Sequence, residues 1–342
     1  MEGTQAMGGA VFVQTNEPDN QVIAFGRAAD GSLREIARVA TGGKGGGVPH
    51  LTSQGSVMLT RDGRHLLVTN MASDDVSLFA VGEDGPVLLG TTAVGPAPKS
   101  VAERDAMVYV LNTGTPSVTG FRLAGGRLVP VEGSERDLAA NADPAQVGLA
   151  PDGTVVVVTE RGTDSITAFP ANMDGTLGSP RSIPSSGPTP YGFAFTGGGT
   201  LVVTEAFRAQ VGAAAASSYA LREGELAPVT ASVGNGRSEI CWAVVTSDGR
   251  FAFTTNFADG AVSRYAIGLD GTLTLEDATA GLAVDGLTGL RDEDLCGDGR
   301  FLYAIDADAG MIRGWAVGDG GALDPIGSWG GVPNTVAGLA AS

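Results

Sequence analysis

Histidine is scarce in this chain: among 342 residues only His50 and His65 occur. His65 begins an apolar run, Leu66 to Asn70, and reads as structural. His50 follows a glycine-rich stretch, Thr41 to Pro49, and is the best candidate for a general acid or base, because an imidazole changes charge near neutral pH. That stretch lacks the order of a phosphate-binding P-loop and no helix follows it, so a flexible loop beside a site is expected. Arg291 heads the run Arg291-Asp292-Glu293. It can hold a carboxylate or an oxyanion by charge-assisted hydrogen bonds, or be consumed by a salt bridge to Asp292 or Glu293. Glu160 and Glu205 occupy positions where other parts of the chain carry Asn70, Asn112 and Asn256. Two carboxyls facing one pocket can divide acid and base roles if their pKa values are pushed apart. Glu239 is a third carboxyl candidate. Cys241 reads as a small buried hydrophobe before it reads as a nucleophile. No Gly-x-Ser-x-Gly elbow, His-Glu-x-x-His or Cys-x-x-Cys pair is present.

The elements that must position these residues are strands, and they recur. Seven apolar runs end in a polar residue: Val11 to Asn16, Leu66 to Asn70, Val108 to Asn112, Val155 to Glu160, Leu201 to Glu205, Phe251 to Asn256 and Phe301 to Asp306. Their last residues fall 42 to 54 apart. Each run is preceded by a turn such as Arg61-Asp62-Gly63, Pro151-Asp152-Gly153, Ser247-Asp248-Gly249 or Gly297-Asp298-Gly299, and Asp-Gly between apolar runs signals a hairpin. Each is followed by a third run that carries an aromatic at one point: Phe25, Phe79, Phe121, Phe169, Tyr219, Tyr265 and Trp315. Four strands per repeat at this period predict an all-β, seven-bladed β-propeller. The first unit lacks its first strand, and the chain ends in an unpaired first-strand pattern, Asn334 to Ala340. That tail is expected to complete the first blade and close the ring, leaving no open sheet edge. Residues 9–342 are read as one domain, and residues 1–8 as a disordered start.

Composition agrees. The 53 glycines are about twice the usual share, as many tight turns require. A net charge of −17 repels nucleic-acid backbones and anionic membranes, so the expected partner is a small molecule and the protein a monomer or weak homo-oligomer. No run of 18 apolar residues spans a bilayer, the start has no signal-peptide pattern, and two cysteines make no disulfide framework. A cytoplasmic protein is expected.

Strand direction then selects a face. The loops entering the first strands and those joining second to third strands share one end of the ring, and a ligand site is expected at that mouth. His50, Ser53, Gln54, Lys99, Ser100, Gln146, Tyr191, Glu239, Trp242, Arg291, Asp292 and Glu293 lie at entries. Asn16, Asn70, Asn112, Glu160, Glu205, Asn256 and Asp306 lie at exits. The plain reading of the exit residues is capping of their own turns. The chemical reading makes His50, Glu160, Glu205, Glu239 and Arg291 catalytic, with Gln54, Asn70, Gln146, Tyr191, Trp242, Asn256 and Asp306 binding substrate. No cofactor is expected, although Glu160, Glu205, Asn256 and Asp306 are oxygen donors of the kind Ca²⁺ takes. The longer connection of blade five, Ala206 to Ser218, is a candidate lid.

Three segments carry a family resemblance: Ser247-Asp248-Gly249-Arg250-Phe251, Asp298-Gly299-Arg300-Phe301-Leu302-Tyr303 and Gly187-Pro188-Thr189-Pro190-Tyr191-Gly192-Phe193-Ala194-Phe195. They resemble the lactonase-type seven-bladed propellers, which include 6-phosphogluconolactonase and the fungal carboxymuconate-lactonising enzyme. The resemblance implies a hydrolase or cyclase acting on a small cyclic ester at the channel mouth. Members carry Arg and His at the entries of the middle first strands, where this chain has Gln146 and Tyr191. With those basic groups replaced, a more neutral lactone is expected. Two other readings stay open: a non-catalytic propeller that binds a ligand or protein, and a Ca²⁺-dependent lactonase.

Overall fold

A computed structural model describes residues 8–283 and 288–342. The expected disordered start therefore lies, for residues 1–7, outside the described residues. Gly8 is already tied down, donating its N–H to Arg27 O at 2.7 Å.

Seven antiparallel sheets follow one another around a ring. The chain is a seven-bladed β-propeller. Blade four shows the plan, with strands Pro144–Leu149, Val155–Glu160, Ser165–Pro170 and Arg181–Pro184 from the axis outward. Blade one is completed by the far end of the chain: Ala337–Ala341 pairs antiparallel with Gly9–Gln14 and becomes the innermost strand. Ring closure by the C-terminal segment thus occurs as the repeat count requires.

Burial on both sheet faces explains the continuous apolar second strands. In Val155-Val156-Val157-Val158, the odd-numbered side chains enter the core shared with blade five and the even-numbered ones the core shared with blade three. Every pair of neighbouring blades shares one such core. The third-strand aromatics are the large pieces in them, all at most 2% exposed. The Asp-Gly turns are fixed by their carboxylates: Asp62, Asp152, Asp248 and Asp298 each accept the N–H two residues on at 3.0 Å. Blade three, which lacks the pair, turns with Asp105 and Ala106 both at positive φ, the backbone of a tight hairpin.

Two features position the site. Six inner strands carry an extra residue near their start: that of blade one at Gly338, opposite Val13/Gln14, and those of blades three to seven, with register breaks at Pro98/Ser100, Pro144/Gln146, Pro190/Phe193, Ile240/Trp242 and Arg291/Glu293. Such bulges re-aim side chains. Lys99, Ala145, Tyr191, Cys241 and Asp292 are the residues set off the ladder at these breaks. The second feature is the connection from blade one to blade two. The inner strand of blade two is only Val57–Leu59, so His50 to Ser56 does not enter as a strand but lies across the mouth.

Candidate active site

The segment from Pro49 to Ser56 closes the upper end of the channel, and its bonds reach most of the ring. The Gln54 carboxamide acts as a piece of strand against blade six: Nε2 donates to Ala243 O at 2.8 Å and Oε1 accepts from Ala243 N at 3.1 Å. Ser53 O accepts from Trp242 Nε1 at 2.9 Å. Gln54 O accepts from Ser100 Oγ at 2.6 Å in blade three, and Gln54 N donates to Ala145 O in blade four at 3.3 Å. Arg291 of blade seven donates from Nη1 to Pro49 O. Gly192 permits the fit, because a Cβ there would collide with Gln54 Oε1 and Cys241 O.

Above this plug lies a compact cluster. The His50 ring stacks on Phe257 with centroids 4.9 Å apart and planes 5° apart, and lies 6.0 Å from Trp242. Trp242 meets Tyr191 edge-on at 5.4 Å. Arg291 covers Phe257 at 5.6 Å and Arg161 covers Tyr191 at 5.2 Å, both cation–π contacts. Lys99 Nζ donates to Thr52 Oγ1 at 3.0 Å. Five of the residues singled out from the sequence, His50, Lys99, Tyr191, Trp242 and Arg291, therefore converge, with Gln54 beneath.

The electrostatics of the cluster are set by three cations in a confined space, one of which, Arg161, is paired with both carboxylate oxygens of Asp143 at 2.7 Å. Burial, then the fields of Arg291, Arg161 and Lys99, lowers the His50 imidazole to about 4, so it is neutral at pH 7. Burial lowers the Lys99 ammonium, and Arg161 adds to the effect. Burial raises the Tyr191 phenol and the Cys241 thiol well above their ordinary values. Cys241 is thus a protonated, buried thiol, which a nucleophile must not be. Among the described residues, His50 Nε2, Tyr191 Oη and Arg291 Nε are buried without a hydrogen-bond partner. Orphaned buried polar atoms are costly, and three in one cluster mark a place for a polar ligand.

The exit residues are not brought to this cluster. Each anchors the turn of its own blade. Glu160 accepts from Thr163 Oγ1 at 2.9 Å and from Thr167 Oγ1. Glu205 accepts from Gly187 N at 2.8 Å, from Ser217 Oγ at 2.6 Å and from Ser232 Oγ. Asn70 donates to Ser77 Oγ at 2.6 Å and Asn256 to Ser263 Oγ at 2.9 Å. Asp306 pairs with Arg313 at 2.8 Å. All are buried, and every one reaches outward to the third strand rather than into the channel. The geometry corrects the pairing of Glu160 with Glu205 as acid and base, and the substrate-binding roles of Asn70, Asn256 and Asp306. The four oxygen donors considered for Ca²⁺ each bond within a separate blade. Among the described residues no three His, Cys, Asp or Glu side chains group as metal ligands.

Glu239 has a backbone role. It holds φ +54°, as Ala97, Asp143 and Thr189 hold positive φ at the equivalent entries. Its carboxyl is raised by burial and by Asp259. Gln146 clamps the next blade, giving Nε2 to Phe193 O at 3.0 Å and taking Phe193 N at 2.7 Å. Arg161 and Phe257 went unread in the sequence. Both stand one residue past an exit position, and that offset was the available signal. Arg161 adds a cation, paired with Asp143, to the Lys99 and Arg291 expected at the mouth.

A family model described as Lactonase, 7-bladed beta-propeller matches residues 7–131 and 101–209. The chain belongs to this family. No curated protein matches the sequence. Solved structures share the fold: a provisionally named 6-phosphogluconolactonase from Bacteroides uniformis (18% identity, 96% of this chain and 99% of that chain covered, TM-score 0.76) and the periplasmic gluconolactonase PpgL of Pseudomonas aeruginosa (17%, 97% and 98%, 0.73). A functionally unknown protein from Desulfotomaculum acetoxidans is similar too (13%, 97% and 98%, 0.75). No described helix of this lactonase-family propeller is long and apolar enough to cross a membrane.

Proposed function

We propose that the mouth cluster hydrolyses a small lactone that carries a negative charge, such as a carboxylated or phosphorylated sugar lactone. The observation that carries this reading is the convergence of Lys99, Arg161 and Arg291 on a neutral histidine with an unpartnered Nε2. The cations receive the anionic group of the substrate, and Tyr191, Trp242 and Phe257 wall its ring. His50 removes a proton from water as it attacks the carbonyl, and Arg291 Nε donates to the oxyanion. The ring oxygen leaves with a proton returned from His50, so the products are a hydroxy acid and free enzyme.

An anionic substrate also repairs the weakness of the base. A base with a pKa of about 4 is feeble at neutral pH. Charge on the substrate cancels the field of the cations that depress it and lifts the imidazole toward its working range. Membership of the lactonase family supports the reaction class. The free, buried Cys241 and Cys296 support a reducing compartment, and we place the protein in the cytoplasm on that ground.

A non-catalytic ligand-binding propeller is the second reading, and the buried His50 ring favours it to the extent that the plug restricts access. Proton release from a panel of neutral, carboxylated and phosphorylated lactones separates the two. Hydrolysis of a charged member, reduced about 100-fold in His50→Gln, supports the enzyme. No turnover of any member leaves the binding reading.

A further inference from the structure

Below the plug the channel widens into a cavity of about 950 Å³ that opens on the face of the Asp-Gly turns. It is the end of the ring opposite to the mouth, and Gln54 forms its ceiling. None of His50, Lys99, Arg161, Tyr191, Trp242 or Arg291 lines it. Its volume lies within the range of small-molecule sites, roughly 300–1,000 Å³.

Its walls divide by chemistry. Val57, Val101, Val147, Val244 and Leu339 give an apolar surface, and the inner strand of blade seven contributes Asp292, Glu293 and Asp294. Asp294 is used, accepting Ala341 N at 2.9 Å across to blade one. Asp292 has the Gly338 N–H and the Trp242 indole nearby and Glu293 the Thr255 N–H, but these do not close hydrogen bonds on all of their buried oxygens. The two residues are 3% and 4% exposed, and Asp292 Oδ2 and both Glu293 oxygens lack a partner among the described residues. Three carboxylate oxygens so placed are costly unless something donates to them. Arg61 and Arg104 stand at the rim, where Asp62 and Glu103 accompany them; deeper in, Arg291 offsets Asp292, while Glu293 has the acids Asp292 and Asp294 as its charged neighbours.

We propose that the lower cavity is a binding site for an aliphatic ammonium ion, held at its nitrogen by Glu293 and Asp292 and along its chain by Val57, Val244 and Leu339. An ammonium supplies three donors to the three orphaned acceptors, and an alkyl chain suits the walls. A bare metal ion does not fit, because the described carboxylates do not group as metal ligands. Asp292 borders the mouth cluster through Arg291 and Trp242, but the lactone reading assigns no role to Asp292 or Glu293, so the two are tested separately.

The test is calorimetric titration of the full chain with 1,5-diaminopentane at pH 8 in 150 mM salt. The expected result is one site per chain, weakened at least tenfold by Glu293→Gln and unaffected by Asp84→Asn, which removes an exposed charge. Ala194→Leu, which narrows the cavity without changing charge, also weakens binding and covers the case in which Glu293→Gln fails to fold. Three outcomes overturn the proposal: no stoichiometric heat with the wild type, equal binding by both cavity variants, or equal loss in Asp84→Asn, which would mean diffuse attraction to an acidic surface.

Discussion

His50 stacks on Phe257 at the mouth, whereas the Glu205 carboxylate is taken up by its own blade. A scarce histidine beside a glycine-rich loop is a local signal, and it survives folding because the loop ends at the mouth. Glu205 differs from Asn at one exit position, and that difference is spent on a wider acceptor role. Its carboxylate takes Gly187 N, Ser217 Oγ and Ser232 Oγ, a set the shorter Asn of other blades could not span. Glu205→Gln is therefore expected to cost about 1–3 kcal/mol of stability, because one acceptor becomes a donor facing donors. Its turnover per folded molecule should match the wild type. Denaturant titration and active-site-normalised rates check both statements, and a rate loss without a stability loss contradicts them. For His50, proton NMR should find the ring titrating near 4 in the free protein. An ordinary midpoint near 6.5 would mean that the three cations do not act on it.

At the scale of elements, the repeat period was legible because each blade buries both faces of its second strand and ends it with a turn-capping polar residue. The short inner strand of blade two was not legible. The segment before it, His50 to Ser56, gains its conformation from Ala243, Ser100, Ala145 and Pro49–Arg291 contacts, and no local propensity encodes partners that lie 46 to 242 positions away. The lower cavity was hidden for the same reason. It is the space left between inner strands, and one-dimensional patterning carries no volume. The plug yields a prediction of its own. Gly192→Ala places a methyl where Gln54 Oε1 lies, so the plug must withdraw. Protease nicking within residues 41–56 should speed up by roughly tenfold or more, since a loss of one or two kcal/mol in local protection multiplies the open population by that factor. An unchanged nicking rate would show that the plug does not depend on this fit.

Across the whole molecule, stability depends on closure and on pH. Deleting residues 334–342 removes the inner strand of blade one and the side chains of Val336, Leu339 and Ala341 from the core between blades seven and one. Losing several buried side chains costs several kcal/mol, and the thermal midpoint should fall by about 10 °C or more. A midpoint within 2–3 °C of the full chain would refute closure by the tail. The pH response has two opposed parts. The fold lowers His50 to about 4, so between about 6.5 and 4 the unfolded chain holds a proton the native state refuses, and stability falls as pH falls. Burial raises Asp292 and Asp294 to about 7. There the native state keeps protons that the unfolded chain has released, and stability falls as pH rises from about 4 through 7. These two carboxyls, joined by Glu293, which burial also raises, outweigh one imidazole, so the protein should be more resistant to urea at pH 5.5 than at pH 8. Asp292→Asn, which suits the local φ of +29°, should gain more stability at pH 8 than at pH 5.5.

The account rests on the claim that the cations at the mouth select and hold a charged lactone. The most direct measurement is the ratio of kcat/KM for 6-phosphogluconolactone to that for gluconolactone, compared between the wild type and Arg161→Met. A ratio well above one in the wild type, falling about 10- to 100-fold in the variant as one charge-assisted contact is lost, is the predicted result. Equal ratios in the two proteins, or a wild type that prefers the neutral lactone, would contradict it.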